Sequence, residues 1–468
     1  MTTTTQPLGI AVLGNDNQLI INHGKRGIER VTIDLSLTWG SLCELALQHN
    51  LTCIWLCPSS AWSTNAKDWR EDASTYDARI QCEQSSGIPI FVSIKRLAGT
   101  WDEKRLVMIG IPEHDSRWAE DGVDAWALAD VEDPIILLGA LCYLRDSLGI
   151  DVLYSPGWTG QAMMKSTSKI HPEWAALADL SMLPRWTEGD VLWTRPLSEA
   201  EQGMKYLHFY DRNSMYLAAT TGAELGEGTP DHITSNIDTI FRMSKSAVWH
   251  ISIEGNPYPE LPPLTPKRET WADVAIVRMA MDMGYSVTIH EGYVWTRYHR
   301  TLQTWAKQLW DTRQALNSKS QLVDVQKYPN VACRDAAYKM IKLIATRAVG
   351  WLDLTEGRKD RSKEQWHRPD WKNAIVGLAR ARMFLKLVEL GKLGYKPVAV
   401  YTDALAYVSN DPNPETAIPN LMRRKSELGG FKHVRTFKVT KKLVKLFDGK
   451  LAPFEVLRDI KKLAGGDF

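Results

Sequence analysis

The sequence predicts an α+β protein made of several domains. The chain has 468 residues, which is more than a single hydrophobic core usually organises. Residues 1–195 alternate short apolar runs with helical patterns, as α/β domains do, whereas the remainder places long amphipathic helices between short strands. No apolar run approaches the roughly 20 residues that a membrane-spanning helix requires, and the first residues do not resemble a secretory signal, so we expect a cytoplasmic protein.

The first part of the chain is expected to form a sheet and a well-capped helix. Pro134–Leu148 has Asp133 as its N-cap, a proline at its first position and Gly149 just beyond its end, which are common signals of helix boundaries. The strands predicted in this part lie at residues 9–13, 31–35, 51–57, 88–93 and 106–111.

The second part of the chain places two aspartates at the ends of predicted strands. Residues 206–210 form an apolar strand that leads into Asp211, and residues 398–401 and 405–408 form a hairpin with Asp403 at its tip. The other predicted elements are strands at 248–254, 285–289 and 292–296, helices at 269–284, 298–316, 334–348 and 373–393, and a C-terminal strand followed by a helix.

Charge is unevenly distributed along a chain whose formal net charge is only +2. Residues 1–150 hold 12 basic against 20 acidic residues, whereas residues 421–468 hold 13 against 5. A basic C-terminal end favours an anionic partner, although many charged tails are only solvated. The six cysteines are scattered and are expected to be reduced thiols. The histidines show no metal-ligand spacing, so we expect them in the core or on the surface.

Three segments carry residues suited to nucleotidyl transfer. Asp211 follows a strand and Asp403 lies at a neighbouring hairpin tip, so the two carboxylates can meet at one edge of a sheet. Carboxylates placed in this way can hold two Mg²⁺ ions about 3.5–4 Å apart, one activating a hydroxyl and the other stabilising the leaving pyrophosphate. Lys342, on a predicted helix, can direct its charge toward phosphates, and Tyr216 can lie beneath an incoming sugar.

These segments resemble, in order, the three polymerase motifs of family B DNA polymerases. Residues 211–216, with the sequence Asp-Arg-Asn-Ser-Met-Tyr, match the first motif, except that Leu217 follows where the family has proline. Lys342 and Gly350 fit the second motif, although its asparagine, serine and tyrosine are replaced here. Asp403, preceded by a tyrosine two residues earlier, fits the third motif.

The third motif departs from the family at Leu405, where the family has its principal metal-binding aspartate. Leucine cannot coordinate Mg²⁺, so Asp403 would have to serve in its place. Loss of a ligand usually lowers the rate of phosphoryl transfer by orders of magnitude. The resemblance covers residues 206–450 and implies a polymerase architecture with weakened or lost catalysis.

The resemblance also implies roles for residues around the motifs. Asp211 and Asp403 are the implied catalytic and metal-binding residues, with two Mg²⁺ ions as the cofactor if the protein is active. The implied nucleotide-binding residues are Ser214, Tyr216, Lys342 and Arg313, and the implied DNA-binding residues are Lys432, Arg435, Lys438, Lys441 and Lys442.

In this family an exonuclease domain with an RNase H-like fold precedes the palm, and residues 1–195 have a suitable length and α/β character. The aspartate-x-glutamate pair that begins an exonuclease site is not identified, because residues 34–36 carry a single carboxylate, so we do not expect exonuclease activity. Candidate remnants are Asp34, Asp77, Asp130 and Asp146. The implied order is a degenerate exonuclease-like domain at 1–195, palm at 196–297 and 353–420, fingers at 298–352, and a basic reduced thumb or tail at 421–468.

Three hypotheses on function follow from these residues. The first is a protein that binds primer–template or single-stranded DNA in replication of a plasmid, phage or other mobile element, with weak or lost nucleotidyl transfer and a partner protein in replication. The second is an active DNA polymerase that uses deoxynucleoside triphosphates. The third is a host-defence or nucleotide-sensing protein on the same fold. Residues 367–371 also resemble a stretch in polymerase-like proteins of actinobacterial linear replicons and phages. The expected location is the cytoplasm, in association with the nucleoid.

Overall fold

The structure of the chain is a computed structural model. The residues it describes are 10–14, 18–23, 27–33, 45–46, 48–49, 51, 53–57, 76–82, 89–96, 106–110, 126, 128, 130–153, 155–168, 182–184, 186, 188–189, 191–265, 267–317, 331–353, 367–422 and 426–463. Within these residues, no helix combines the length and the apolar character that crossing a membrane requires.

Strands and helices alternate along the described chain. The strands are β1 (Ile10–Leu13), β2 (Gln18–Asn22), β3 (Ile28–Thr32), β4 (Cys53–Leu56), β5 (Tyr76–Cys82), β6 (Pro89–Arg96), β7 (Leu106–Gly110), β8 (Leu192–Thr194), β9 (Tyr206–Arg212), β10 (Leu225–Gly226), β11 (Asp231–Ile233), β12 (Ala247–Glu254), β13 (Glu269–Asp273), β14 (Ser286–Val294), β15 (Tyr298–His299), β16 (Ala399–Tyr401), β17 (Ala404–Ser409) and β18 (Phe431–Lys438). The helices are α1 (Pro134–Leu148), α2 (Pro156–Thr167), α3 (Glu199–Gln202), α4 (Met215–Thr220), α5 (Ile237–Met243), α6 (Val274–Asp282), α7 (Gln303–Asn317), α8 (Val331–Trp351), α9 (Pro369–Lys392), α10 (Pro414–Ala417), α11 (Pro419–Met422), α12 (Lys441–Leu446) and α13 (Pro453–Leu463).

The chain folds into two compact units. The first unit comprises Met1–Thr167 and Lys307–Trp351, and the second comprises Ser168–Ala306 and Leu352–Phe468. Both units are discontinuous in sequence, because the chain leaves the second unit within α7 and returns after α8. The five-segment order implied by the sequence is finer than this division and stays a prediction.

A seven-stranded mixed sheet dominates the first unit, in the order β3-β2-β1-β4-β7-β6-β5. β1 pairs in parallel with β4, and β4 with β7, whereas the other neighbours are antiparallel. Helix α1 packs on β1 and β2, and α8 packs on α1 and α2. The close approach of α2 and α8 requires glycine, because a Cβ atom at Gly157 would lie 2.1 Å from the Trp351 ring and one at Gly160 would lie 2.2 Å from the Ala348 methyl group.

Helix α1 begins and ends where the sequence predicts. The Asp133 carboxylate accepts a hydrogen bond from Ile135 N at 2.8 Å, and Gly149 ends the helix in the left-handed conformation at φ 71°. These are local interactions, so the boundaries of this helix can be predicted without knowledge of its neighbours.

Antiparallel sheets form the frame of the second unit. The larger sheet has the order β18-β9-β17-β16-β8, and the smaller has the order β11-β14-β12-β13. Side chains alternate along β9, so Leu207 and Phe209 enter a core cluster that α12 and α13 complete with Leu443 and Ile460. Helix α9 packs against α4 and α6.

The predicted helix at residues 269–284 is instead a strand followed by a shorter helix. Residues Glu269–Asp273 pair with β12 in antiparallel register. The Asp273 carboxylate then accepts a hydrogen bond from Ala275 N at 2.8 Å, which caps α6 and starts it at Val274. The prediction is wrong because neither glycine nor proline separates the apolar residues of β13 from those of α6.

Other predicted boundaries differ by a few residues. The strand pair predicted at 285–289 and 292–296 is one continuous strand, β14, whose pairing with β12 contains a register shift next to His250. The helix predicted at 298–316 begins later, because Tyr298–His299 first pair with β10.

A buried ion pair lies at the start of α9. Arg368 is fully buried and donates two hydrogen bonds to Asp370, from Nε to Oδ1 at 2.9 Å and from Nη2 to Oδ2 at 2.6 Å. Its guanidinium lies 4.0 Å from the centroid of the Trp371 ring, and the Trp371 indole donates to the Gly226 carbonyl at 2.7 Å. Residues 367–371 therefore include a packed anchor between α9 and β10.

Candidate functional site

The structure brings Asp211 and Asp403 together at one end of the five-stranded sheet. Asp211 lies near the end of β9, and Asp403 lies in the turn between β16 and β17. Ala404 is opposite Asp211 in the β9–β17 pairing, and Arg212 N donates to the Asp403 carbonyl at 2.8 Å. The two carboxyl groups are close enough for the negative charge of Asp211 to raise the pKa of Asp403.

The turn that presents Asp403 contains a strained residue. Thr402 has φ 52°, a left-handed conformation that β-branched residues rarely adopt. Its amide donates to the Val191 carbonyl at 2.7 Å, which fixes the turn to the segment before β8. Ser214, three residues after Asp211, is also left-handed, at φ 51°. Strain of this kind costs about 1–3 kcal/mol per residue and is concentrated at functional sites.

Burial and a neighbouring charge raise the pKa of Asp403 to about 7. Removal of the carboxyl group from water is the larger cause, and the negative charge of Asp211 adds to it. Lys432 opposes this rise in pKa, because it is opposite Asp211 in the β9–β18 pairing and its Nζ lies 3.0 Å from Asp211 Oδ2. A divalent cation would relieve the repulsion between these carboxyl groups, and their oxygen donors suit Mg²⁺ or Mn²⁺.

Asp403→Asn is expected to stabilise the cation-free protein at pH 8. Because folding raises the pKa of Asp403, this carboxyl group contributes stability that is fully present below its ordinary pKa of 3.8 and is lost as the pH rises through about 7. The amide does not ionise, so the gain in free energy of unfolding should grow with pH and reach about 1–3 kcal/mol at pH 8. Denaturant unfolding in EDTA at pH 4.5 and pH 8 measures this gain.

Asp411→Asn is the matched control for this experiment. Hydrogen bonds from Thr416 Oγ1 and Asn413 N lower the pKa of Asp411, so its stabilising contribution is present at high pH and is lost as the pH falls. This variant should therefore give no gain at pH 8. The free energy of unfolding could instead rise equally in both variants, or rise in Asp403→Asn by an amount that does not change with pH. Either result would contradict the claim that burial and the charge of Asp211 raise the pKa of Asp403.

Leu405 lies in the core rather than at the carboxylate pair. It is fully buried and is opposite Tyr210 in the β9–β17 pairing. The acidic side chains at this end of the sheet that the structure brings into contact are therefore Asp211 and Asp403.

The other predicted site residues of the second unit follow β9 or belong to β18 and α12. Ser214 precedes α4, and Tyr216 lies half-buried within it. The Arg435 guanidinium lies 5.7 Å from the centroid of the Phe437 ring. Exposed lysines from the predicted DNA-binding set are Lys438, Lys441 and Lys442.

The two predicted nucleotide-binding residues of the first unit lie in different environments. Arg313, on α7, is buried, and its Nη2 donates to the Tyr338 hydroxyl at 3.0 Å while its guanidinium lies 5.2 Å from the ring centroid. Lys342, on α8, is exposed. The Arg313 guanidinium is thus engaged with a protein group within the first unit.

The described part of the first unit shows no exonuclease-like cluster of carboxylates. β1 carries no acidic residue. Asp130 pairs with Lys339, and Asp146 pairs with Arg145. The remaining candidate remnants, Asp34 and the side chain of Asp77, lie outside the described residues.

Three side chains in the first unit form a cluster that the sequence does not reveal. His23 Nε2 and His49 Nδ1 lie 2.7 Å and 3.2 Å from the same oxygen of Glu29. The hydrogen bond with His23 is the main cause of the lowered pKa of Glu29. The three ligand atoms lie within 4.8 Å of one another, so the set could hold a metal ion. The sequence predicts no histidine at a metal site, because residues this far apart meet only in the folded chain.

Comparisons with known proteins define the fold. No protein-family model matches the chain, and no curated protein matches it. Among solved structures, Phi29 DNA polymerase complexed with primer–template DNA and incoming nucleotide is similar over 92% of this chain and 85% of that chain, with a TM-score of 0.58 and 12% identity. The same polymerase in an orthorhombic crystal form and complexed with single-stranded DNA gives TM-scores of 0.54 and 0.51, at the same identity and coverage. The chain therefore has a mixed α+β fold similar to that of Phi29 DNA polymerase.

Proposed function

We propose that this protein is a divergent family B polymerase-like protein that binds primer–template DNA and transfers nucleotides weakly. The observation that carries the proposal is the contact between the Asp211 and Asp403 carboxyl groups at the ends of adjacent strands. A second carboxylate within reach of Asp211 is what two-cation nucleotidyl transfer requires. The biological setting we infer is replication of a plasmid, phage or other mobile element.

Each residue of the proposed site has a defined task. Asp211 and Asp403 would hold two Mg²⁺ ions, which supply activation of the primer hydroxyl and neutralisation of the triphosphate when bound. Tyr216 packs beneath the sugar of the incoming nucleotide. The exposed lysines of β18 and α12 neutralise backbone phosphates, so the affinity for DNA falls as salt increases.

Two features of the carboxylate pair predict slow transfer. Leu405 occupies the position of the family's principal ligand and cannot replace it. Lys432 Nζ lies 3.0 Å from Asp211 Oδ2, where its ammonium group competes with a cation for the same oxygen. Electrostatic stabilisation is usually the largest contribution to catalysis, so the rate should be orders of magnitude below that of an intact site.

The Lys432–Asp211 ion pair also supports a second candidate function, a polymerase fold that only binds DNA. In this case the ammonium group replaces the cation permanently. The altered second motif and the absence of an identified exonuclease pair favour the same conclusion.

We further propose an RNase H-like fold for residues 1–167, which form one compact unit with residues 307–351, whereas β8 pairs with β16 in the five-stranded sheet. The order of the strands in the seven-stranded sheet supports this assignment. Within the order β3-β2-β1-β4-β7, the first three strands are antiparallel to one another, and β4 and β7 run parallel to β1. The five-stranded sheet with Asp211 and Asp403 would then belong to the palm, α7 and α8 to the fingers, and residues 421–468 to a reduced thumb. The likeness to proteins of actinobacterial linear replicons and the nucleoid-associated cytoplasmic location stay predictions.

Primer extension distinguishes the two candidate functions. Purified protein, a labelled primer–template and deoxynucleoside triphosphates are incubated with Mg²⁺ or Mn²⁺. We expect slow extension that requires the cation. Lys432→Ala should lower the Mn²⁺ concentration needed for half-maximal extension severalfold, because it removes the competing ammonium group. Lys450→Ala is the control, since this lysine of the same unit has an 82% exposed side chain and should not affect extension.

DNA affinity, measured by fluorescence anisotropy on the same samples, separates the outcomes. In one outcome, neither the wild type nor Lys432→Ala extends the primer, while the affinity for DNA falls with salt and does not depend on divalent cations. This outcome would show that the protein only binds DNA. Absence of both DNA binding and extension would reject the polymerase-like proposal.

A further inference from the structure

A cavity of about 610 Å³ opens between α9 and the segment that leads into β18. Two arginines contribute to its lining, Arg212 from β9 and Arg382 from α9, together with the backbone of Gly429 and Gly430. Sites for small molecules commonly have volumes of about 300–1,000 Å³. The cavity therefore has the size of a site for a small organic ligand.

The two arginines have no carboxylate partner among the residues that the structure describes. Arg212 Nε donates to the Gly429 carbonyl at 2.9 Å, and its buried Nη1 has no hydrogen-bond partner in the described chain. Arg382 Nη1 donates to the Ala218 carbonyl at 2.9 Å. Two half-buried charges of the same sign are unfavourable unless an anion joins them.

The acidic residues that line the cavity do not neutralise this pair. Glu389 and Glu427 are exposed, and Glu389 is bound to Lys386 at 2.9 Å. The lining therefore favours an anionic ligand at the arginines.

The cavity lies on the opposite face of the sheet from the carboxylate pair. Successive residues of a strand point to opposite faces. Asp211 is opposite Lys432 and bonded to it, whereas Arg212 is opposite Phe431 and lies 5.7 Å from the centroid of its ring. The cavity is thus separate from the candidate cation site.

We propose that this cavity binds a nucleotide, with its phosphate held by Arg212 and Arg382. Guanidinium groups bind phosphate oxygens through paired N–H···O bonds, and this binding needs no divalent cation. The phosphate belongs either to a free mononucleotide or to the terminal nucleotide of a DNA strand. The apolar side chains available to pack against the base are Leu385, Leu421, Leu428 and Phe431.

Isothermal titration calorimetry in EDTA tests this site independently of nucleotidyl transfer. The probes are dAMP, inorganic phosphate, and a short oligothymidylate with and without a 5′-phosphate. We expect dAMP to bind more tightly than inorganic phosphate if the ligand is a free nucleotide. We expect the 5′-phosphorylated strand to bind more tightly than its unphosphorylated form if the ligand is a strand end. Because EDTA prevents cation-dependent binding at Asp211 and Asp403, failure here is distinct from failure of primer extension.

Two variants test the location of binding. Arg382→Gln removes the charge but keeps a donor for the Ala218 carbonyl, and Leu385→Asp places a negative charge at a residue that is 41% exposed. Each should weaken binding of the preferred probe by about tenfold or more. Leu393→Asp is the charge-matched control, because Leu393 follows the same helix, is 52% exposed and does not line the cavity.

Three results would overturn the proposal. The first is a folded wild-type protein that binds none of the probes. The second is equal weakening by Leu385→Asp and Leu393→Asp. The third is a protein that binds dAMP no more tightly than inorganic phosphate and also does not prefer the 5′-phosphorylated strand. The cavity would then be a site for simple anions and not for nucleotides.

Discussion

Asp370→Ala is expected to lower the free energy of unfolding by about 3–5 kcal/mol. Asp370 accepts two hydrogen bonds from Arg368, whose side chain is fully buried. Removal of the carboxylate leaves a guanidinium charge in the core without its partner, and the Trp371 ring and the Gly226 carbonyl cannot compensate for that loss. Urea unfolding followed by far-ultraviolet circular dichroism measures the change.

Two variants control for this prediction. Glu389→Ala removes an exposed ion pair with Lys386 on the same helix and should change stability by less than about 1 kcal/mol. Replacement of both partners by apolar residues, Arg368→Met with Asp370→Leu, should recover much of the lost stability, because no charge then remains buried. A loss below about 1 kcal/mol in Asp370→Ala would contradict the anchoring role of the ion pair.

Asp211→Asn and Asp403→Asn should each lower the single-turnover rate of primer extension by about 100-fold to 1,000-fold or more. Both substitutions keep the size of the side chain but remove one charge from the pair. Since the two carboxylates act as a unit, the double variant should be little slower than either single variant. Quenched-flow extension with Mn²⁺ measures the rates, and anisotropy checks that DNA still binds.

Asp411→Asn again serves as the control, because Asp411 lies in the same unit but bonds to Thr416 instead of to the carboxylate pair. Its extension rate should equal that of the wild type. Extension at the wild-type rate in Asp403→Asn would mean that Asp403 has not taken over from the ligand lost at Leu405.

Local sequence signals predict the elements that carry the candidate site. The strand before Asp211 and the hairpin around Asp403 are visible as apolar runs, and the structure places them next to each other. The position of Lys432 could not be predicted in this way. Its contact with Asp211 depends on the register between β18 and β9, which are far apart in sequence and whose pairing contains a register shift.

Features that depend on packing between distant segments were also beyond the reach of sequence patterns. Nothing in the sequence links Arg212 to Arg382, and only the folded second unit reveals that they line one cavity. The same holds for residues 367–371, whose buried ion pair has no periodic signal. In the structure, this segment packs through the hydrogen bonds between Arg368 and Asp370.

Binding of Mn²⁺ is the most direct test of the central claim that Asp211 and Asp403 form a cation site. Electron paramagnetic resonance counts free Mn²⁺ during a titration, and a Glu29→Gln background removes the contribution of the histidine–glutamate cluster. We expect this background protein to bind Mn²⁺. Asp403→Asn should weaken the binding about tenfold or more, and Lys432→Ala should strengthen it. Equal Mn²⁺ affinity with and without the Asp403 carboxylate would contradict the central claim.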